Sequence, residues 1–116
     1  MSKIRVYADT SVFGGVFDEE FESPSRIFFE QVKNEEFILV TSAVVQDELN
    51  LAPEVVKDFF DEMLIFAEVI DITEEALMLR ESYLEANIVT NKFSDDALHV
   101  ALASSSSCSL IVSWNF

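Results

Sequence analysis

The sequence predicts an α/β protein in which a mainly parallel sheet is covered by helices on both faces. Apolar runs of strand length alternate along the chain with longer segments of helical character, and this alternation is typical of parallel sheets. The run FILVTS at 37–42 is apolar over most of its length, as expected of a strand that is buried on both sides. A chain of 116 residues is also long enough to form one domain with a sizeable core.

The first strand is predicted over residues 4–8, in the stretch IRVYADTSVFGG. Small and branched apolar residues alternate there with Arg5 and Tyr7, which is a strand pattern. The strand ends at Asp9, and two hydroxyl residues follow it. The only glycines in the chain, Gly14-Gly15, come next, and we expect them to turn the backbone away from the strand end.

The remaining elements continue the alternation. Their predicted bounds are a helix over 23–36, a strand over 37–42, helices over 42–52 and 53–66, a short strand over 68–72, helices over 73–86 and 94–106, and a strand over 110–116. Each helix begins at a residue suited to a helix start, because Ser23, Ser42, Thr73 and Ser94 can cap a helix and Pro53 can open one.

The charge of the chain is strongly negative, with 22 acidic residues against 7 basic ones and a net charge of -15. Such a surface repels nucleic-acid phosphates, since their binding normally depends on Lys and Arg displacing counterions. Any function on nucleic acid must therefore neutralise phosphates with bound cations or with a basic partner.

The sequence also predicts where the protein resides. The single Cys108 cannot form an internal disulfide, and the N-terminus does not have the pattern of a signal peptide. No apolar run approaches the ~20 residues of a membrane span. We therefore expect a soluble, cytoplasmic protein without a membrane partner.

Several familiar catalytic motifs are missing from the sequence. Gly14-Gly15 lack the Gly-Lys of a phosphate-binding loop and the spacing of a dinucleotide fingerprint, and no Gly-x-Ser-x-Gly elbow occurs. One Cys and one His cannot form a structural zinc site. Ser11 stands where a phosphoryl-accepting Asp-x-Asp motif needs its second Asp. The candidate chemistry that remains is that of carboxylates.

Three acidic residues lie near predicted strand ends or helix starts. Asp9 follows the first strand, Glu48 lies on the helix after the second, and Asp96 lies in the first turn of the helix that contains SDDALHVALA. A parallel sheet can bring such positions together at one edge. Carboxylates at close range repel one another, and a hard divalent cation is the natural compensation. Mg²⁺ or Mn²⁺ held in this way can polarise a phosphoryl oxygen.

Each of these residues also has a purely structural interpretation. Asp9 can cap a turn with the hydroxyl residues after it, and Glu48 can be a solvated helix residue. Asp95 and Asp96 both favour a helix N-terminus through the helix dipole, and periodicity alone does not choose between them. His99 is more often a packed or surface residue than a ligand.

Four segments in combination resemble the PIN-domain family. They are VYADTSVFGG, VTSAVVQDEL, SDDALHVALA and LIVSWNF, and the resemblance runs nearly end to end. It is strongest to the toxin-like, VapC-type ribonucleases of bacterial toxin–antitoxin pairs. The resemblance implies a three-layer α/β/α sandwich and a Mg²⁺- or Mn²⁺-dependent endoribonuclease. It also implies an RNA substrate, a cognate antitoxin and a homodimer.

The resemblance assigns roles residue by residue. Asp9, Glu48 and Asp96 match the family's acids and are the implied catalytic residues and metal ligands. Ser11 and Ser113 match small hydroxyl residues that support the acidic cluster.

The end of the chain departs from the family pattern. Asn115 falls where many members place a further Asp or Asn. An Asn there departs from the pattern of four acids, so it is left open whether a second metal ion binds. The tail that follows this motif in relatives is missing, so we expect a single domain over 1–116 that is truncated at its C-terminus. Two rival functions remain open, an inactive PIN-like interaction module and a nuclease that acts on DNA.

The hydrophobic content favours an assembly. Eleven Phe residues exceed what a core of this size buries comfortably, and VVKDFFDEMLIF has apolar residues on more than one helical face. A hydrophobic excess of this kind often marks an interface. We therefore expect a homodimer that also binds an antitoxin.

Overall fold

The computed structural model describes residues 3–86 and 94–115, except for the side chains of residues 94–96. Its centre is a sheet of four parallel strands in the order β3-β2-β1-β4. The strands are β1 (Arg5–Ala8), β2 (Ile38–Ser42), β3 (Ala67–Ile70) and β4 (Leu110–Val112). The predicted fold class, a parallel α/β sheet, is confirmed.

Six helices connect the strands in the described part of the chain. They are α1 (Thr10–Gly15), α2 (Glu22–Lys33), α3 (Ala43–Glu48), α4 (Glu54–Met63), α5 (Glu74–Glu85) and α6 (Ser94–Ser105). Short 3₁₀ turns follow α3 at Leu49–Leu51 and α4 at Leu64–Phe66. Every helix in the described ranges is too short or too polar to cross a lipid bilayer.

Two predicted helix caps are present as hydrogen bonds. The Ser42 hydroxyl accepts from the backbone N–H of Val45 at 3.4 Å, and the Thr73 hydroxyl accepts from that of Ala76 at 3.1 Å. These bonds satisfy backbone donors that a helix start leaves without a partner. The predicted starts of α3 and α5 are therefore confirmed, while the side chain of Ser94 lies outside the described residues.

The cap predicted for α2 is wrong. The helix begins at Glu22, so Ser23 already lies within it, and Phe21 occupies the cap position without a side-chain hydrogen bond. Phe21 stacks on Trp114, with ring centroids 5.4 Å apart and planes within 2° of parallel. This contact fixes the chain just before the helix, and backbone bonding begins there, since the N–H of Ser25 donates to the carbonyl of Phe21.

The last strand is shorter than predicted. It ends at Val112 instead of running through residues 110–116, and Phe116 lies outside the described residues. The backbone N–H of Trp114 donates to the Ser11 hydroxyl at 2.9 Å, so this N–H is not available to a neighbouring strand. The strand therefore stops where its backbone begins to bind a side chain.

The two glycines do not form the predicted turn. Both lie in α1, and neither has a positive φ. A Cβ atom on Gly15 would lie 2.5 Å from the Ser25 Oγ and 2.7 Å from the Trp114 Nε1, whereas one on Gly14 would meet nothing within 4 Å. Gly15 is therefore needed for close packing, because the indole of Trp114 lies where any larger side chain would be.

The core lies on both sides of the two central strands. Residues of β1 and β2 are almost all buried, including Tyr7 and Leu39 at 0% exposure. Phe13 of α1 packs on Phe29 of α2 and Phe60 of α4, with ring centroids 5.1 and 4.9 Å apart. This packing holds α1 firmly beyond the end of β1, which is where Asp9 lies.

Candidate active site

The candidate site lies at the carboxyl edge of the sheet, beyond its two central strands. β1 and β2 are parallel neighbours, so their ends lie side by side. Asp9 follows β1 directly, and Ser42 ends β2 and begins the helix that carries Glu48. Ligands of parallel α/β sheets bind at this edge, because the loops there converge around the strand ends.

Asp9 is a buried and firmly held carboxylate. It is 2% exposed and caps α1, where its Oδ1 accepts the backbone N–H of Ser11 at 3.0 Å and the Ser11 hydroxyl at 2.6 Å. Its own backbone N–H donates to the carbonyl of Val112 at 3.2 Å. Both side-chain bonds end on Oδ1, so within the described part of the chain Oδ2 is available to a ligand.

Ser11 connects this carboxylate to the end of β4. Its hydroxyl donates to Asp9 and accepts the backbone N–H of Trp114. The indole of Trp114 is fixed in turn, because its Nε1 donates to the Ser25 hydroxyl at 3.0 Å and its ring stacks on Phe21. The predicted supporting residue Ser11 thus contacts Asp9 directly and is bound by the backbone of Trp114, whose indole is held by Ser25 of α2.

Glu48 is held from a greater distance along the chain. Its side chain is 38% exposed, and its Oε1 lies 2.6 Å from Nε2 of the buried His99 on α6. The other ring nitrogen of His99, Nδ1, lies 2.7 Å from the hydroxyl of Tyr7. That hydroxyl lies 2.7 Å from the Ser42 Oγ. Four side chains thus form one continuous hydrogen-bonded chain.

The hydroxyl of Tyr7 lies near both acids. Burial raises the pKa of Tyr7 well above its ordinary value, and the hydrogen bond with Ser42 lowers it by less. The negative charges of Asp9 and Glu48 raise the pKa of Tyr7 further. The phenol therefore keeps its proton at every physiological pH, and the two carboxylates act on the same buried hydroxyl.

Sequence reasoning missed Tyr7 and His99 as parts of this site. The sequence favours a packed or surface position for His99, and this residue is packed at 3% exposure but also bonded to Glu48. The sequence contains one usable signal, because His99 follows the predicted ligand Asp96 by three positions, a spacing typical of neighbours on one face of a helix. Residues two apart in a strand also point the same way, which links Tyr7 to the Asp9 side.

The other predicted site residues have fewer contacts in the described part of the chain. The Ser113 hydroxyl accepts the backbone N–H of Asn115 at 3.1 Å, which is a local turn contact, and Asn115 is exposed. Asp96 lies in the first turn of α6, and its side chain is outside the described residues. Among the side chains that are described, no three His, Cys, Asp or Glu residues group closely enough to hold a metal.

The chemistry of Asp9 nevertheless fits a divalent cation. A buried carboxylate is normally paired with a cationic side chain or bound to a metal, because burial without compensation is costly. No Lys, Arg or His in the described residues forms an ion pair with Asp9. The side-chain atoms that could bind a metal at this edge are carboxylate and hydroxyl oxygens, and Mg²⁺ and Mn²⁺ prefer oxygen ligands.

No family model matches the chain, and no curated protein matches it significantly. Solved structures do. The VapC20 toxin of Mycobacterium tuberculosis, which cleaves the sarcin-ricin loop, matches with a TM-score of 0.71 at 15% identity over 95% of this chain and 89% of that one.

Two toxin–antitoxin complexes are similar as well. VapBC2 of Rickettsia felis, bound to promoter DNA, matches with a TM-score of 0.65 at 18% identity over 94% of this chain and 86% of that one. DNA-bound VapBC of Salmonella typhimurium matches with a TM-score of 0.63 at 19% identity over 94% and 84%. The likeness confirms the predicted PIN-like α/β/α fold.

Proposed function

We propose that this chain is a divalent-metal-dependent endoribonuclease and the toxin of a toxin–antitoxin pair. The observation that carries the proposal is the Asp9 carboxylate, which is buried without a cationic partner among the described residues. It lies at the end of a central strand in a fold that toxins of this kind share. A carboxylate in this position is suited to hold a cation against a phosphodiester.

Three acids are the proposed ligands of Mg²⁺ or Mn²⁺, namely Asp9, Glu48 and Asp96. When bound, the ion polarises a phosphoryl oxygen and lowers the pKa of a water molecule. Ser11 fixes the Asp9 carboxylate by two hydrogen bonds, so that this carboxylate is oriented before substrate binds. Ser113 and Asn115 follow β4 at the same edge, where we propose supporting roles for both.

RNA is the proposed substrate, and a solved structure supports this choice. The similar toxin of Mycobacterium tuberculosis cleaves the sarcin-ricin loop. The net charge of -15 means that the chain gains little long-range attraction to a polyanion. Substrate binding must therefore rely on divalent cations at the acidic edge.

A cognate antitoxin and a second copy of this chain are the proposed partners in the cytoplasm. Two of the similar structures are complexes of VapB with VapC, which supports an antitoxin. Large hydrophobic side chains are exposed on several elements and support an interface. The most exposed are Leu51, Ile65, Met78, Ile27, Val55 and Leu110.

The proposed function is tested by a Mn²⁺ titration in a calorimeter and by cleavage of matched single-stranded RNA and DNA. We expect wild type to bind Mn²⁺ and to cleave RNA. Absence of Mn²⁺ binding would instead identify an inactive interaction module. Cleavage of DNA alone would identify a deoxyribonuclease.

A further inference from the structure

We infer that His99, held in place by Tyr7, positions the Glu48 carboxylate for the metal ion, with Oε1 bound by the imidazole and Oε2 left as the ligand oxygen. The inference rests on the proposed function, since it concerns a ligand of the proposed cation. It assigns to His99 and Tyr7 a role that neither the motifs nor the fold assigns to them.

The direction of the bond to Glu48 follows from the chemistry of its partners. An ionised carboxylate only accepts hydrogen bonds, so Nε2 of His99 must carry a proton and donate it to Oε1. This donation exists whether the imidazole is neutral or charged, because Nε2 is protonated in both cases. At 2.6 Å the contact is slightly shorter than the ~2.7–2.9 Å of charge-assisted N–H···O hydrogen bonds.

The imidazole itself cannot turn away from Glu48. Its Nδ1 lies 2.7 Å from the hydroxyl of Tyr7, a side chain with 0% exposure in the central strand β1. The same hydroxyl lies 2.7 Å from the Ser42 Oγ, which also accepts the backbone N–H that caps α3. Both ring nitrogens are thus occupied, and rotation of the ring would break both hydrogen bonds.

Glu48 needs such support more than Asp9 does. Its side chain is 38% exposed at the last residue of α3, whereas Asp9 is 2% exposed and bonded to its own helix start. A long, half-exposed side chain samples several rotamers, and ordering it costs conformational entropy. In the described part of the chain, the contact with His99 is the one hydrogen bond that selects a rotamer of Glu48.

Side chains that hydrogen-bond to a metal ligand influence the affinity of the site for the metal ion. Removal of a hydrogen bond to a ligating group typically costs about 10- to 100-fold in metal affinity or activity. We therefore expect His99→Phe, which keeps a flat ring but removes the donor, to weaken Mn²⁺ binding by about that factor. Tyr7→Phe leaves the imidazole without its anchor but keeps the donor to Glu48, and we expect a smaller loss of affinity than in His99→Phe.

The experiment is Mn²⁺ calorimetry on the full chain, with circular dichroism to check the fold of each variant. His99→Gln is the rescue variant, because its amide N–H can donate to Glu48, and we expect it to recover most of the affinity. Thr41→Val is the matched control. It removes a buried hydroxyl from β2 that has no hydrogen-bond partner in the described residues, and wild-type affinity is expected.

Three outcomes would overturn the inference. His99→Phe with wild-type affinity would show that the contact does not matter, and His99→Gln as weak as His99→Phe would show that only packing matters. If His99→Phe does not fold, Tyr7→Phe decides in its place, and wild-type affinity there counts against us. Wild type that fails to bind Mn²⁺ overturns the proposed function itself, so the two failures are distinguishable.

Discussion

Two carboxylates, one directly after β1 and one at the end of the helix that follows β2, are held in opposite ways. Asp9 is buried and bonded to Ser11, two residues further along the chain. Glu48 is half exposed and bonded to His99, 51 residues away, which depends in turn on Tyr7. The arrangement around Asp9 is thus built by local structure, while that around Glu48 is assembled only when the sheet and α6 are in place.

The largest expected effect comes from neutralising the locally held acid. Asp9→Asn keeps an oxygen that can accept both bonds from Ser11, so the fold should survive. It removes the buried negative charge, and we expect at least a ~100-fold loss of Mn²⁺ affinity and of RNA cleavage. Thermal stability without metal should stay the same or rise, since repulsion between like charges is relieved.

Calorimetry, a cleavage assay and a thermal melt check this prediction. Asp47→Asn is the matched control, because it neutralises an exposed acid next to Glu48 on α3. The control should cleave RNA as wild type does. Equal cleavage by Asp9→Asn would show that the assignment of Asp9 as a ligand is wrong. Asp96→Asn is expected to behave like Asp9→Asn, on the basis of the family resemblance.

The second prediction concerns the support behind Asp9. Gly15→Ala brings a Cβ within 2.5 Å of the Ser25 Oγ and within 2.8 Å of the Trp114 indole, so the indole must shift. We expect a loss of about 1–3 kcal/mol in the free energy of unfolding, as for other overpacked sites. Because the backbone of Trp114 binds Ser11, Mn²⁺ affinity should fall as well.

Gly14→Ala is the matched control, since it makes the same change one residue earlier in α1. A Cβ there meets nothing within 4 Å, and Ala in a helix is favoured over Gly by about 0.5–1 kcal/mol. Urea denaturation of both variants measures the difference. Gly15→Ala as stable as Gly14→Ala would mean that the close approach of Trp114 contributes nothing.

The contrast between the two acids also explains what the sequence could predict. Asp9 with its hydroxyl neighbours is a local motif, and both its cap and its contact with Ser11 follow from residues close in sequence. The link from Glu48 to His99 spans 51 residues, and the link from His99 to Tyr7 spans 92. No local pattern encodes contacts over such separations, which form only when β1, α3 and α6 are packed together.

The same contrast between local and distant contacts accounts for the errors in the predicted bounds of the elements. The helix caps formed by Ser42 and Thr73 are local contacts, and both predictions are confirmed. Three predictions are wrong, namely those of the end of β4, the start of α2 and the role of Gly15. All three features depend on Trp114. An aromatic residue that joins elements about 90 residues apart changes the bounds of each, because tertiary packing outweighs local preference.

The third prediction uses the pH dependence of stability to test the buried hydroxyl of Tyr7, which anchors the partner of Glu48. Tyr7 has a raised pKa, so its phenol stays protonated in the folded state while the unfolded chain ionises above its ordinary value of 10.0. The unfolded state then binds fewer protons, and the free energy of unfolding falls as pH rises above 10. The slope from this one group is at most about 1.4 kcal/mol per pH unit.

Urea denaturation between pH 9 and 11 measures this slope (both limits lie about one unit from the ordinary tyrosine pKa). We expect Tyr7→Phe to flatten the fall in stability, because the group that resists ionisation is gone. Tyr83→Phe is the control, since it removes a partly buried phenol of α5 that lies outside this hydrogen-bonded chain. An unchanged slope in Tyr7→Phe would argue against a firmly buried hydroxyl.

The smallest expected effect is that of monovalent salt on RNA binding. A basic nucleic-acid protein loses affinity steeply with rising salt, because each phosphate contact releases counterions. This chain has 7 basic residues against 22 acidic ones, so few such contacts can form. At fixed Mg²⁺ we therefore expect RNA affinity to change little with KCl, and to change strongly with Mg²⁺ at fixed KCl.

The Mg²⁺ part of this titration tests the two acids. At fixed KCl, Asp9→Asn and Glu48→Gln should each need more Mg²⁺ than wild type to reach the same RNA affinity, because each variant loses a proposed ligand of the ion. Fluorescence anisotropy with a labelled, uncleavable RNA measures both. A steep KCl dependence in wild type would indicate a basic groove that neither the sequence nor the described residues contain. The electrostatic argument for cation-mediated binding would then be wrong, even if Asp9 and Glu48 prove to bind the metal ion.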